Sequence, residues 1–385
     1  MNPDLPSRLL GGLAPSRFMQ RHWQRKPLLI RGAFENFRPP LSIAQVKRLA
    51  RRDDVESRLV WREQGAWQME CGPFGRLPPA REPEWTLLVQ GVNLHDDAAA
   101  GLMAQFRFIP DARLDDVMIS IASDRGGVGP HFDSYDVFLL QASGRRRWRI
   151  GRQRELDLDP DAPLKILRRF EPTEEFVLEA GDMLYLPPAY AHDGIAEGDG
   201  CMTISIGFRS PSRAELARGM LECAAESLSG KLPAALRGHY GDAGQPAVRQ
   251  PAALPETMVE AALSAVSSVK FDAALATRYL GCWLTEPKPE VVFDAADPAA
   301  LPDLETDWPA SGELALDRRT LMIHRGRMLF INGEQAEVDA TPALRELADQ
   351  RRLACAAPPR AGSGERAALQ AWLEAGWLHW IDSPR

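Results

Sequence analysis

His131 and Asp133 stand two residues apart in GVGPHFDSYD, and a second histidine, His192, lies near the end of the later segment GDMLYLPPAYAHDG. Two imidazoles and one carboxylate form the donor set of a facial triad. Such a set holds Fe(II) from one side and leaves the opposite positions open for a bidentate oxoacid and for O2. In an extended segment alternate side chains share a face, so the spacing lets His131 and Asp133 enter one cavity together. An H-x-D pair is common by chance, and it acquires weight here from His192 and from Arg146. A guanidinium buried in the same barrel can grip the distal carboxylate of 2-oxoglutarate through two parallel hydrogen bonds, which separates a co-substrate pocket from a bare metal site.

Positioning these groups requires β structure, and the first 200 or so residues supply short apolar runs between Gly/Pro turns: WTLLVQGVNL (85–94), DVMISIAS (116–123), DVFLLQ (136–141), RRRWRIG (145–151), GDMLYLP (181–187) and CMTISIGF (201–208). Many short strands at this spacing predict a sandwich or barrel. Arg146 is expected on a strand returning from a turn at Ala142–Gly144, and His192 just after a strand that ends at Pro187–Pro188. Alternation turns Arg145, Arg147 and Arg149 away from Arg146, as solvated or partner-facing charges.

From Ser212 the periodicity becomes helical. Ser212 and Glu215 form a capping box, Leu216, Met220, Cys223, Ala224 and Leu228 follow at helical spacing, and Gly230 is expected to end the run. A Pro/Gly/Gln-rich stretch (Gly241–Pro255) precedes a second helical block, PETMVEAALSAVSSVKFDAALATRYLGCWL, suited either to dimerisation or to covering the chain's own barrel. After the linker Pro287–Pro309, an Asn332–Gly333 turn joins two strand-like runs. Thr341 caps and Pro342 opens a helix through Leu347, and another helix around Leu369–Leu373 stops before Gly376. Helices with a small hairpin suggest a winged-helix unit.

Taken together, HWQRKPLLIRGAF (22–34), WTLLVQGVN, DDVMIS, GPHFDSYDVFLLQ, GRRRWRIG and GDMLYLPPAYAH resemble the JmjC branch of the cupin 2-oxoglutarate oxygenases, and within it the bacterial ribosomal oxygenases that hydroxylate an arginine of ribosomal protein uL16. The resemblance is dense from residue 22 to about 210. It implies a mainly β, double-stranded β-helix (cupin, jelly-roll) catalytic domain over 1–210, a helical dimerisation region over 211–290 and a winged-helix-like α+β domain over 291–385. It further implies Fe(II) on His131, Asp133 and His192, with 2-oxoglutarate and O2 as co-substrates and Arg146 on the 2-oxoglutarate. A small hydroxyl residue completes the co-substrate contacts in that family. Ser120 is the choice here, since alternation places it with Asp116 and Met118, and Ser123 stays open. A substrate arginine needs a carboxylate and an apolar wall, for which Asp116 and Met118 are the candidates.

Composition bounds these expectations. With 385 residues, 45% hydrophobic and 26% charged, the chain can pack two or three domains. The five cysteines form no CxxC pair, which argues against a disulfide framework and a thiolate zinc site. A net charge of −7 repels nucleic-acid backbones and suits a basic protein partner, here a ribosomal protein, so direct nucleic-acid binding is not expected. No apolar run has the length of a membrane span and the first residues lack a secretory plan, so no membrane is expected and the cytoplasm is the expected compartment. Three rival readings remain. The same chemistry can serve histidyl hydroxylation or lysine demethylation. A small-molecule cupin would carry more histidine ligands and no hairpin arginine. A non-catalytic cupin/winged-helix binding module would have no use for Arg146. A structural zinc or a metal-free cupin is the bland account of the triad, and Tyr135, Asp136 and Asp193 read as exposed or core-satisfied groups.

Overall fold

The computed structural model describes residues 2–229, 232–355, 359–360 and 362–382 and divides into two compact units, Met1–Ser210 with Lys288–Val292, and Pro211–Pro287 with Phe293–Arg385. In the first unit the elements run α1 (Pro15–Arg21), β1 (Leu28–Ile30), α2 (Ile43–Leu49), β2 (Ser57–Glu63), β3 (Ala66–Cys71), β4 (Trp85–Val89), α3 (Asp97–Ala104), β5 (Leu114–Ala122), β6 (Val137–Gly151), β7 (Glu174–Leu178), β8 (Met183–Leu186) and β9 (Ala191–Phe208). All nine strands join one antiparallel sheet in the order β1-β8-β6-β9-β5-β4-β2-β3, with β7 also on β6.

Two long strands make this sheet a double-stranded β-helix. β6 and β9 pair from Val137↔Gly207 to Gly151↔Ala191, with register shifts on both sides of Ser143. Before the shifts β6 is flanked by β8, and after them by β7. A bulge bends a strand and increases its twist, so one ribbon serves both faces of the barrel. Gly144 is required at the bend: its φ is +63°, and a Cβ there would lie 2.9 Å from the Cα of Cys201.

One expectation is corrected here and another extended. No turn separates DVFLLQ from RRRWRIG, because Ala142–Gly144 is a bulge inside one continuous strand. His192 follows β8 and the Pro187–Pro188 pair, and it is also the second residue of a further strand, β9, which runs on through AHDGIAEGDG despite three glycines because β6 supplies a partner along its length.

The faces of β6 explain its composition. Phe138 and Leu140 pack with Tyr185, Met183, Ile204 and Ile206 under the N-terminal helices, where Phe18 and Phe106 are also fully buried. Their ring centroids lie 4.9 to 5.4 Å apart for Phe18–Tyr185, Phe18–Phe138 and Phe106–Phe138, so truncating Phe138 to Ala is expected to cost ~3–5 kcal/mol. Val137 and Leu139 turn to the barrel interior with Trp148, Ile150, Leu178, Leu184 and Leu186. Both faces are apolar before the bulge, and beyond it charged residues alternate with buried ones.

The second unit contains α4 (Arg213–Ser227), α5 (Glu256–Ser267) and α6 (Ala273–Thr285), then β10 (Glu313–Leu316), β11 (Met322–Arg325), β12 (Met328–Ile331), β13 (Glu334–Gln335), α7 (Pro342–Gln350), β14 (Arg352–Ala354), α8 (Gly364–Glu374) and β15 (Leu378–Ile381). The capping box of α4 is present, with Glu215 N–H donating to Ser212 Oγ at 3.1 Å and Ser212 N–H to Glu215 Oε2 at 2.7 Å. Gly230 lies outside the described residues. The second helical block is two helices, because the Asp272 carboxylate caps α6 through the N–H groups of Ala274 and Leu275. Asn332 and Gly333 both have positive φ in the turn between β12 and β13, Thr341 caps α7, and three-stranded sheets β14-β10-β15 and β11-β12-β13 complete a winged-helix arrangement. Its core gathers Leu314, Leu329, Leu344, Leu347, Leu369 and Leu373. Among the described residues no helix is long and apolar enough to cross a membrane.

Candidate metal centre and co-substrate pocket

His131 is not in a regular strand, so the alternation expected to place it operates through a single bridge. Its N–H donates to the carbonyl of His192 at 2.9 Å, and the His192 N–H returns the bond to His131 at 2.8 Å. That reciprocal pair fixes the two imidazoles side by side, their centroids 4.2 Å apart. Asp133 follows outside any regular element, and its carbonyl accepts from Ala189 N–H at 2.7 Å, tying the turn before β9 to the segment that carries the carboxylate.

One donor atom from each of His131, Asp133 and His192 lies within 4.8 Å of the others, and His192 Nε2 is 3.6 Å from Asp133 Oδ2. Both histidines have Nδ1 against a carbonyl two residues earlier, His131 to Gly129 at 2.8 Å and His192 to Tyr190 at 2.9 Å. A ring nitrogen facing a carbonyl carries the proton, so each Nε2 presents its lone pair toward the other donors. His192 is also held neutral: burial, then the neighbouring His131, lower its pKa to about 4, with Asp133 opposing. Two imidazoles and a carboxylate gathered on one side fit a divalent metal ion.

Gly129 stands behind this arrangement with φ +77°. A Cβ there would fall 2.7 Å from Ile166 Cδ1 and 2.8 Å from the Trp67 ring, so both side chains press on the peptide whose carbonyl orients His131. Ile166 belongs to the segment between β6 and β7, and the next residue, Leu167, donates its N–H to Pro130 O at 2.8 Å. Sequence patterns gave no sign of this support.

Arg146, Trp148 and Ile150 pair across the ribbon with Ala196, Gly194 and His192, so all six share the interior face. Arg146 is 3% exposed, and its Nε and one terminal nitrogen are buried without a hydrogen-bond partner. Trp148 lies beneath it, the guanidinium carbon 5.7 Å from the ring, and its Nε1 is likewise unpartnered. The ring needs Gly194, where a Cβ would come within 2.5 Å of it. Buried donors on a permanent cation are costly unless an anion satisfies them, so these atoms fit the carboxylate of a dicarboxylic acid.

On β5 and β4, Ser120 and Thr86 share a face through the registers Leu88↔Ser120 and Thr86↔Ala122, opposite the face that packs Ile119 and Ile121. Thr86 Oγ1 is buried with no partner, and the Ser120 hydroxyl makes only a long contact, 3.4 Å, to Thr203 O. Ser123 differs: its hydroxyl accepts from Trp85 N–H at 3.1 Å and reaches Trp85 O at 3.3 Å, closing a turn onto β4. Thr86 and Trp148 were not singled out from the sequence, although Trp148 alternates with Arg146 in RRRWR.

Met118 keeps the Ser120 face, whereas Asp116 lies in a bulge, since Leu114 pairs with Phe208 and Val117 with Ile206. Asp116 Oδ2 accepts from Gly91 N–H at 3.1 Å, and a Cβ on Gly207 would sit 3.2 Å from Oδ1. Burial raises its pKa and the cation of Lys288 is the largest opposing influence. The Tyr135 phenol is pushed up by burial and then by Asp133, Asp116 and Asp115, which places it among the carboxylates. Asp136 and Asp193 are satisfied structurally. Asp136 accepts from Tyr185 OH at 2.6 Å and Gln24 Nε2 at 3.1 Å, and Asp193 pairs with Arg149 on the outer face.

Comparison with known proteins agrees with this geometry. The JmjC domain family model matches residues 101–216 and the ROXA-like winged-helix model matches 268–379. Over 336 residues the chain is 35% identical to ribosomal protein uL16 3-hydroxylase of Escherichia coli (strain K12), covering 86% of this chain and 87% of that one. It is 35% identical over 214 residues to a probable ribosomal oxygenase of Haemophilus influenzae, 54% and 52% of the two chains. The structure of YcfD, a ribosomal oxygenase from Escherichia coli, in complex with cobalt and 2-oxoglutarate aligns with a TM-score of 0.74 at 30% identity, covering 96% of this chain and 98% of that one.

Proposed function

The chain belongs to the JmjC-domain ribosomal oxygenases, and from that premise we propose that it is an Fe(II)- and 2-oxoglutarate-dependent protein hydroxylase that 3-hydroxylates an arginine of ribosomal protein uL16. The observation that carries this reading is the Arg146 guanidinium, buried and unpartnered in the same barrel as two imidazoles and a carboxylate.

His131, Asp133 and His192 are the residues that would hold Fe(II). When bound with 2-oxoglutarate and O2, the iron supplies the oxidising chemistry, in which one oxygen atom enters the substrate and the other enters succinate as CO2 is released. The chain's own residues bind and orient. Arg146 and the Ser120 hydroxyl take the far carboxylate of 2-oxoglutarate, which fixes its keto-acid end toward the imidazoles. Val137, Leu139, Trp148 and Ile150 make an apolar wall that excludes water from the reacting side chain. At the rim, Asp116 receives the substrate guanidinium while Met118 packs along its methylene stem.

The finer assembly belongs to the same proposal. The chain divides functionally into the catalytic domain 1–210, the helical region 211–290 and the winged-helix domain 291–385, acts in the cytoplasm, binds no nucleic acid directly and forms a homodimer through the helical region. Leu221, Met258, Leu263, Val266 and Phe271 support the dimer, since each is 43% to 66% exposed on or beside α4 and α5. Light scattering should give twice the chain mass, and Leu263→Glu with Val266→Glu should give monomers.

Mass spectrometry of ribosomes from a deletion strain tests the function: the uL16 peptide should lose one oxygen, about 16 Da. An unchanged uL16 mass would overturn the substrate assignment. Succinate release from 2-oxoglutarate with Fe(II) and a uL16 peptide tests the chemistry directly.

A further inference from the structure

The substrate rim contains a charge arrangement that neither metal nor 2-oxoglutarate requires. Asp115 and Asp116 occupy the β5 bulge opposite Gly207, and two cations of the chain itself face them. Arg209 Nε is 3.7 Å and Lys288 Nζ 3.4 Å from Asp115 Oδ1, and Lys288 also acts on Asp116.

The two cations are held differently. Arg209 follows β9, its N–H donating to Arg113 O at 2.6 Å while Arg113 Nε donates to Arg209 O. Lys288 arrives from far along the chain, on the strap Lys288–Val292 that packs with the catalytic unit. The strap is irregular, with a turn bond from Val291 N–H to Lys288 O at 2.9 Å. The Lys288 side chain is 33% exposed and Asp115 39%, so the pair is open to water and screened. A flexible ammonium stem in a wet ion pair exchanges readily, whereas a planar guanidinium binds a carboxylate with two parallel bonds.

We propose that Lys288 is a displaceable internal counter-ion of the substrate rim, neutralising Asp115 and Asp116 in the free enzyme and giving way to the guanidinium of the incoming basic polypeptide. The proposal rests on Asp116 being the substrate-binding carboxylate. An internal occupant competes with the substrate, so removing it strengthens binding; a cation that merely stabilised the rim would weaken binding when removed.

The test uses the full chain loaded with Fe(II), 2-oxoglutarate and a synthetic uL16 peptide carrying the target arginine. Lys288→Met, which keeps the stem and removes the charge, should lower the peptide KM about twofold to fivefold, the scale of a partly exposed ion pair. Lys288→Arg, which keeps the charge, should leave KM at or above the wild-type value. Asp116→Asn should raise KM about tenfold or more. If Asp116→Asn raises KM while Lys288→Met leaves it unchanged or raises it, the counter-ion role is overturned and the rim assignment stands. If Asp116→Asn leaves KM unchanged, the rim assignment fails and the counter-ion role falls with it.

Discussion

Four arginines lie within five residues of one strand, and its two faces treat them in opposite ways. On the outer face of β6, Arg145 and Arg147 reach Glu197, Arg147 also reaches Glu175, and Arg149 reaches Asp193, a ladder of cross-strand ion pairs. On the inner face Arg146 has no such carboxylate among the described residues, and two of its nitrogens are buried without a partner. Each outer arginine thus has a carboxylate of the chain itself, although Arg149 Nε is buried without a partner. The inner cation is the one whose surroundings call for an anion, so what singles out the proposed co-substrate arginine is a buried charge with no counter-charge from the described residues.

The contrast predicts opposite costs for removing charge on the two faces. Arg146→Met should raise the 2-oxoglutarate KM roughly 100-fold to 1,000-fold, while the ligand-free protein melts no lower than wild type, since an unsatisfied buried cation is removed. A melting temperature that falls sharply would show Arg146 to be structural.

His192 extends the contrast to pH. Burial keeps its folded-state pKa at about 4 against 6.5 in the unfolded chain. In chelator-treated protein its contribution is therefore complete above pH 6.5 and lost as pH falls through that window toward 4, roughly 3 kcal/mol in all at about 1.4 kcal/mol per pH unit. Thermal melts across that range should show the decline, and His192→Gln should flatten it.

Gly129→Ala tests the support behind His131. The left-handed backbone and the contacts from Trp67 and Ile166 predict a loss of about 2 kcal/mol together with weaker metal binding, measured by titration with Co(II). Lost stability with unchanged metal affinity would confine Gly129 to packing.

The outer face should show the smallest effects. Arg149→Met strands Asp193, whose side chain is 5% exposed, and should cost about 1–2 kcal/mol. Arg147→Met, between more exposed partners, should leave the melting temperature close to the wild-type value and 2-oxoglutarate turnover as it was. Equal losses at Arg147 and Arg146 would erase the distinction between the faces.

Much of the site was legible because it depends on local rules. Donor chemistry picks out His131, Asp133 and His192, and strand alternation separates Arg146 from Arg145, Arg147 and Arg149 without any knowledge of the fold. The errors came where long-range pairing overrides local signals. Ala142–Gly144 has the composition of a turn, yet β8, β9 and β7 pair along both halves of β6 and leave only a bulge. AHDGIAEGDG, with its three glycines, carries no strand signal of its own, yet it is paired to β6 from Ala191 to Glu197. The Trp67–Gly129–Ile166 contact joins three separate segments, and no window of sequence contains it.

The sequence by itself therefore determined which groups can ligate and which face of β6 each arginine takes, since side-chain chemistry and backbone alternation are properties of neighbouring residues. Only the tertiary structure decided that Arg146 lacks a partner, that the Ser123 hydroxyl is committed to the backbone of Trp85, and that Lys288 returns to Asp115. Whether a charge is satisfied depends on what the folded chain brings to it, and those partners come from strands and straps distant in sequence.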